Sequence, residues 1–286
     1  MRLKHLQETK VLTNMKLDVL VFSKDRPLQL EGYIKSLQYY TNNDVNITVL
    51  AKTTPDYREA YSILQSNHRD VKFVEESNFA RQVKNWIDEA GPMIMFGCDD
   101  VIFKDHINLD VARKLLATLD PPIDFVSLRL DSNITYCQPS DKEMIVPKLA
   151  PVLEGQAYIF EWRACPMNWD WGYPFEVAGS IYRRETIKNL IAPFPDNVIG
   201  HPNKIEGPLC FQARNNWRGV GSCFAKAKMN TVTVNRVQEL EKNKLCVDVE
   251  VTPKELLNMF LIGKSIDFKA YTKQYRSICI GDLILC

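Results

Sequence analysis

The chain carries almost no surplus of charge: 36 Lys and Arg stand against 35 Asp and Glu, a formal net charge of +1 over 286 residues. That balance provides no electrostatic footprint for general nucleic-acid binding and none for adhesion to anionic lipid, so neither partner is expected. Residues 1–10 lack the continuous apolar core of a signal peptide. No apolar run approaches bilayer length, so no transmembrane segment is expected. Histidine is scarce, at four. The eight cysteines are scattered singly without a Cys-x-x-Cys pair, which argues against a zinc site or a disulfide framework and for buried, reduced thiols. A cytoplasmic location is the expectation. Glycine is missing from residues 17–31, which removes the P-loop and the dinucleotide fingerprint from the readings of the first strand's exit.

What is present is ordinary for a soluble globular protein, with 45% hydrophobic and 25% charged residues. The length suffices for one large α/β core, or such a core with a smaller lobe. Residues 17–22 form an apolar, β-branched run that predicts a strand. It enters Ser23-Lys24-Asp25-Arg26-Pro27, where Pro27 suits the first turn of a helix continuing through Leu28, Leu30, Tyr33, Ile34, Leu37 and Tyr40. Residues 46–51 predict a second strand, leaving through Lys52-Thr53-Thr54 to a helix that opens at Pro55. Residues 71–74 predict a third strand. Ser77 or Asn78 can cap a helix with Phe79, Val83, Trp86, Ile87 and Ala90 on one face. Gly91-Pro92 then leads into Met93-Ile94-Met95-Phe96-Gly97-Cys98-Asp99-Asp100-Val101-Ile102-Phe103, a buried strand with two carboxylates at its tip. Alternating strands and helices predict parallel βαβ units with ligands beyond the strands' carboxyl ends. Residues 23–26, 52–54 and 99–100 would meet on that edge.

Beyond the acids, residues 110–119 predict a helix stopped by Asp120-Pro121-Pro122, and residues 123–130 another strand. Residues 131–155 read as an irregular insert, and residues 157–162 as a strand of a small antiparallel hairpin. A late strand is expected at 231–234. Thr252-Pro253-Lys254-Glu255 is a capping box that opens a helix through Ile262, closed by Gly263.

Two adjacent acids repel, so a fold that sets them together supplies a cation or a proton. The functional reading of Asp99 and Asp100 is a divalent metal held against a nucleotide diphosphate; the alternative is a solvated turn. Lys24 and Arg26 offer charge to phosphate, or are solvated loop residues. The cluster Trp169, Asp170, Trp171 and Tyr173 suits stacking on sugar rings with hydroxyl contacts to the acid, or packing beneath a loop.

The ordered set Phe22-Ser23-Lys24-Asp25-Arg26-Pro27, Phe96-Gly97-Cys98-Asp99-Asp100, Trp169-Asp170-Trp171-Gly172, Ala178-Gly179-Ser180-Ile181-Tyr182 and His201-Pro202-Asn203-Lys204-Ile205-Glu206 resembles the GT-A fold of nucleotide-sugar-dependent glycosyltransferases over roughly residues 17–237. The resemblance implies an α/β, GT-A-like (Rossmann-like) fold: a mostly parallel twisted sheet flanked by helices, with a smaller C-terminal acceptor-side lobe. Residues 1–130 would be the nucleotide-sugar-binding half and 131–286 the acceptor-side half of one continuous domain. The implied reaction is sugar transfer from a nucleotide-diphosphate donor, UDP-type favoured, to a glycan or other hydroxyl acceptor. By the same resemblance Asp100 is the ligand of Mn2+ or Mg2+. Ser23, Lys24, Arg26, Thr53 and Asp99 contact the nucleotide, with Arg81 and Lys84 either joining them or lying on a solvated helix face. Asp170, Trp171 and Asn203 contact substrate, and Glu206 is the acceptor-activating base or a helix N-terminal acid. The pattern departs from the family at Cys98, where the first acid of Asp-x-Asp belongs and a thiol suits a hard cation poorly, and at Asn235, where several members have a metal-binding His. Two other readings stand beside it: a catalytically degenerate nucleotide- or glycan-binding protein, and a sugar-phosphate nucleotidyltransferase, whose usual Gly-rich loop is missing.

Overall fold

The computed structural model describes residues 16–119, 122–237 and 244–286. The N-terminal stretch 1–10, the helix stop at 120–121 and Gln238 lie outside the described residues.

β1 (Leu17–Lys24) is buried on both faces and lies inside the sheet. Its Leu17, Val19 and Val21 enter one core cluster, while Leu20 and Phe22 enter the cluster on the opposite side. β4 (Met93–Cys98) divides in the same way, Met93 and Met95 from Ile94 and Phe96. This two-sided burial is why both segments read as continuous apolar runs rather than alternating ones. β2 (Val45–Lys52) and β3 (Lys72–Glu75) complete a parallel group in the order β3-β2-β1-β4. The connecting helices are α1 (Pro27–Tyr40), α2 (Arg58–Asn67) and α3 (Phe79–Glu89). Asn78 caps α3 by accepting from Arg81 N–H.

The same sheet continues through β11 (Ser180–Arg183), β6 (Phe125–Ser127), β12 (Val220–Phe224), β10 (Ala157–Glu161) and β9 (Ala150–Val152). From the pairings, seven of its nine strands run one way and β10 and β11 run the other. The α/β class and mostly parallel layout expected from the sequence are therefore present. Strands from both sides of residue 130 share this one sheet.

The acids stand at the exit of the fourth strand, as expected, and the apolar residues beyond them form a separate strand. β4 stops at Cys98, Asp99 and Asp100 form a turn, and β5 (Val101–Phe103) joins β13 (Met229–Val232) and β14 (Cys279–Ile280) in a second sheet. Residues 131–155 are not wholly irregular either, since β7 (Tyr136–Cys137) and β8 (Lys142–Glu143) pair as a short ladder. The remaining helices are α4 (Leu109–Thr118), α5 (Arg184–Ile191), α6 (Pro202–Asn216) and α7 (Pro253–Leu261), the last opened by the expected Thr252–Glu255 capping box. Gly97 lets α1 approach β4. A Cβ there would sit 2.1 Å from the Tyr33 hydroxyl oxygen, well inside contact distance. Among the described residues no helix is long and apolar enough to cross a membrane.

Candidate active site

Parallel pairing aligns Phe22 with Cys98 and Lys24 with Lys52, bringing the exits of β1, β2 and β4 to one edge. Asp25 adopts φ 53°, a left-handed conformation that Asp tolerates better than most residues. Its Oδ1 accepts from Thr54 N–H at 2.8 Å and ties the first two exits together. Ser23 Oγ donates to Asp99 Oδ2 at 2.9 Å and also meets Tyr61 Oη at 2.5 Å. Lys24 N–H donates to the same Asp99 oxygen at 3.1 Å, and Lys24 Nζ donates to Val237 O at 2.9 Å.

Arg26 turns back onto the acidic turn. Nη1 meets Asp99 Oδ1 at 3.0 Å and Asp100 Oδ2 at 3.1 Å, while Nη2 donates to Asn235 O at 2.8 Å. Burial works against the guanidinium charge, but the two carboxylates outweigh it and its pKa is raised. Burial likewise pushes the Asp99 carboxyl up, opposed by Arg26. The positive charge that two adjacent acids require is thus supplied by Arg26 itself. Asp100 keeps 15% side-chain exposure against 4% for Asp99, so it is the acid that still faces the cleft solvent.

A cleft of about 330 Å3 opens along this edge. Ser23, Lys24, Arg26, Asp99, Asp100, Asp170, Asn203 and Glu206 all line it, together with Lys52, Cys98, Arg129, His201 and Asn235. The fold brings α6 to the far wall: His201 caps this helix through Nδ1, which accepts from Asn203 N–H at 3.1 Å. One turn on, Glu206 Oε1 accepts from Val177 N–H at 2.8 Å, and Oε2 lies 3.4 Å from the Tyr173 hydroxyl. Burial pushes the Glu206 carboxyl up to about 7, with repulsion from Glu176 adding to it and the Val177 N–H and Arg129 opposing. A carboxyl poised there can take up or release a proton near neutral pH.

Two expected residues do not line the cleft. Thr53 follows β2 and is half-buried, but Lys52 faces the cleft in its place. Trp171 is corrected outright as a sugar platform. It has no exposed surface, packs edge-on to Phe160 with centroids 4.9 Å apart, and donates from its indole N–H to Ile134 O at 2.8 Å. An indole enclosed on every side has no face left for a sugar ring. Lys84 is also directed elsewhere, to Phe194 O and Asp196. Sequence reasoning missed Arg129, which stands between buried Leu128 and Leu130. The available signal was a cation flanked by leucines at the end of the predicted strand 123–130, of which the structure keeps only Phe125–Ser127 as β6, leaving Arg129 just beyond its exit.

The cleft offers few donors to a divalent cation. Among the described residues no three His, Cys, Asp or Glu side chains are grouped to share one. Cys98 Sγ lies 3.5 Å from Val177 O, and burial pushes its thiol up, so it is no thiolate ligand. Asp100 alone fits, as a single carboxylate for a cation whose other ligands are phosphate oxygens and water, a common arrangement for Mg2+.

No protein-family profile matches the chain. Over 299 aligned residues, covering 93% of this chain, it is 24% identical to the bifunctional glycosyltransferase pgtA of Dictyostelium discoideum. The chain spans 39% of that protein's length. Among solved structures, Staphylococcus aureus TarS 1–349 in complex with UDP-GlcNAc superposes with a TM-score of 0.49 and 14% identity, over 79% of this chain and 60% of TarS 1–349. The mannosyltransferase PcManGT of Pyrobaculum calidifontis, in complex with GDP-Man and Mn2+, gives 0.39 and 16%, over 70% of this chain and 56% of that one. Across nearly its whole length the chain is therefore similar to part of a glycosyltransferase.

Proposed function

We propose that the chain is a glycosyltransferase, moving a sugar from a nucleoside-diphosphate donor, UDP-type favoured, to a hydroxyl of a glycan or other acceptor. The observation that carries this reading is the placement of Glu206 in one cleft with the basic exits Lys24, Arg26 and Lys52 and with Asp100. A carboxylate of near-neutral pKa opposite a phosphate-binding edge suits direct displacement with inversion.

In that reaction Lys24, Arg26 and Lys52 hold the diphosphate, and Ser23 and Asp99 fix the loop that presents Arg26. Glu206 takes the proton of the acceptor hydroxyl as its oxygen bonds to the anomeric carbon. The bond from that carbon to the diphosphate oxygen breaks, and the departing negative charge falls among the basic side chains, where preorganised cations stabilise it most. Asp100 would hold a Mn2+ or Mg2+ ion, which supplies further charge neutralisation on the diphosphate. Because Asp100 would be its single side-chain ligand, the cation's affinity depends on the nucleotide. Asp170 and Asn203 remain on the sugar and acceptor side of the cleft. Eight free thiols suit a reducing compartment such as the cytoplasm.

Calorimetry with UDP-, GDP- and CDP-sugars, with and without Mn2+, tests the proposal. The expected result is metal-enhanced binding of one series, with the metal effect lost in Asp100→Asn, and slow donor hydrolysis or transfer. A folded protein that binds no nucleotide refutes it. Binding without turnover in any acceptor mixture would favour the binding-only reading, for which Cys98 in place of an acid is the specific sign.

A further inference from the structure

The cleft holds two charged clusters, and in the first Arg26 is paired with Asp99 and Asp100 and Lys52 with Glu76. Lys24, Arg26 and Lys52 stand at the β1 and β2 exits, whereas the opposite part holds Asp170 and Glu206 around Arg129, with buried Glu176 behind. Proximity within this second group is evident in the electrostatics of Arg129. Burial opposes its charge, and Glu176, Asp170 and Glu206 together more than restore it.

The hydrogen bonding of this group is incomplete. Arg129 Nη1 approaches Asp170 Oδ1 to 3.7 Å, and Arg129 Nε approaches Glu176 Oε1 to 3.6 Å. Both are ion-pair contacts outside hydrogen-bonding range. Arg129 Nε, Asp170 Oδ2 and Glu176 Oε1 are buried without a hydrogen-bond partner, although the Arg129 side chain is only 9% exposed. Buried acids elsewhere are fully engaged. Asp124 Oδ2 accepts from Trp162 Nε1 at 2.9 Å, Gly219 N–H at 2.8 Å and Val220 N–H at 3.0 Å. Asp131 accepts from Asn133 N–H at 2.7 Å and Ala227 N–H at 2.8 Å. Buried polar groups are as a rule paired, so an unsatisfied donor on Arg129 and an unsatisfied acceptor on Asp170, both cleft-lining residues, point to a ligand that completes them.

A sugar hydroxyl does both tasks at once, accepting from a guanidinium and donating to a carboxylate. A second carboxylate does neither well. It would share one guanidinium already placed between two acids, and it would face Asp170, Glu176 and Glu206.

We propose that Arg129 and Asp170 form the sugar-hydroxyl subsite and restrict the donor to uncharged hexosyl groups, rejecting uronic acids and other carboxylated sugars. This inference rests on the glycosyltransferase reading above. Arg129 is the specificity-determining member, and Asp170 supplies both the acceptor atoms and the negative charge that excludes a carboxylate.

The test is calorimetry on the full chain with Mn2+, using matched pairs: UDP-glucose with UDP-glucuronic acid, and GDP-mannose with GDP-mannuronic acid, each beside the free diphosphate. In whichever series binds, the hexosyl donor is expected to bind about tenfold tighter than its uronate, about 1.4 kcal/mol. Asp170→Asn keeps the shape and removes the charge, so the preference should shrink severalfold while binding of free diphosphate is unchanged. Arg129→Lys should weaken the hexosyl donor without affecting the free diphosphate. The wild-type comparison needs no variant, so misfolding of either substitution leaves the inference open to refutation. Equal affinity for hexose and uronate, with the diphosphate still bound, overturns the subsite and leaves the glycosyltransferase reading standing. Failure of the folded protein to bind any diphosphate or donor overturns that reading and the subsite with it.

Discussion

Replacing Glu206 by Gln offers one titration with two readouts of opposite sign. The folded-state carboxyl lies at about 7 against an ordinary 4.5, chiefly because burial disfavours its charge. A raised carboxyl contributes stability that is fully present below the unfolded value, and this contribution is lost as pH rises through the folded value. The window is therefore pH 4.5 to about 7, with the loss complete a little above it. Each tenfold difference in proton affinity is worth about 1.4 kcal/mol, which bounds the effect at about 3–4 kcal/mol; contact with cleft solvent lowers the expected figure to about 1–3 kcal/mol. Gln retains the oxygen that accepts from Val177 N–H and has no proton to lose. Urea unfolding of both proteins from about pH 4.5 to 8.5 should show wild type losing about that amount relative to Glu206→Gln as pH rises. Over the same range, wild-type kcat/KM should rise through about pH 7 as the base loses its proton, while the variant should lose roughly 100-fold or more in kcat at every pH. Parallel stability curves for the two proteins would refute the burial argument. A flat activity profile would remove Glu206 as the base.

Two further expectations concern the scaffold of the site. Arg26→Met removes the contacts to Asp99, Asp100 and Asn235 O and leaves two acids without their cation. Breaking a buried pair in this way should cost about 3–5 kcal/mol, read as a Tm lower by roughly 6–15 °C and partly restored by millimolar Mn2+; a loss under about 1 kcal/mol would contradict the assignment. Gly97→Ala places a methyl 2.1 Å from the Tyr33 hydroxyl oxygen and should cost about 1–3 kcal/mol by overpacking. Tyr33→Phe, which removes a buried hydroxyl lacking a partner, should recover part of that loss in the double variant when measured by chemical unfolding.

Signals contained within a few residues are legible in the sequence. Asn78 before α3 and the Thr252–Glu255 box before α7 cap those helices as expected, because a cap bonds only to its own first turn. β1 and β4 are legible because helices cover both faces of the sheet, making each strand apolar throughout. The fate of Trp171 is not. Its indole is apolar enough for the core and polar enough for a sugar, and only packing against Phe160 and Ile134 O selects the first. The partner of the apolar residues beyond the acids is equally hidden, since β5 pairs in a second sheet with β13, far along the chain.

The sequence by itself determined the alternation of strands and helices and the gathering of three polar exits on one edge, because strand direction in βαβ units places successive carboxyl ends together. Tertiary structure alone decided how the charges there are paired. Arg26 is joined to acids 73 and 74 positions away, and Glu206 owes its near-neutral pKa to burial, which outweighs the opposing hydrogen bonds from Val177 and Tyr173, 29 and 33 positions away. Desolvation and charge pairing depend on what the folded chain places around a group, and neighbouring letters in the sequence carry no record of it.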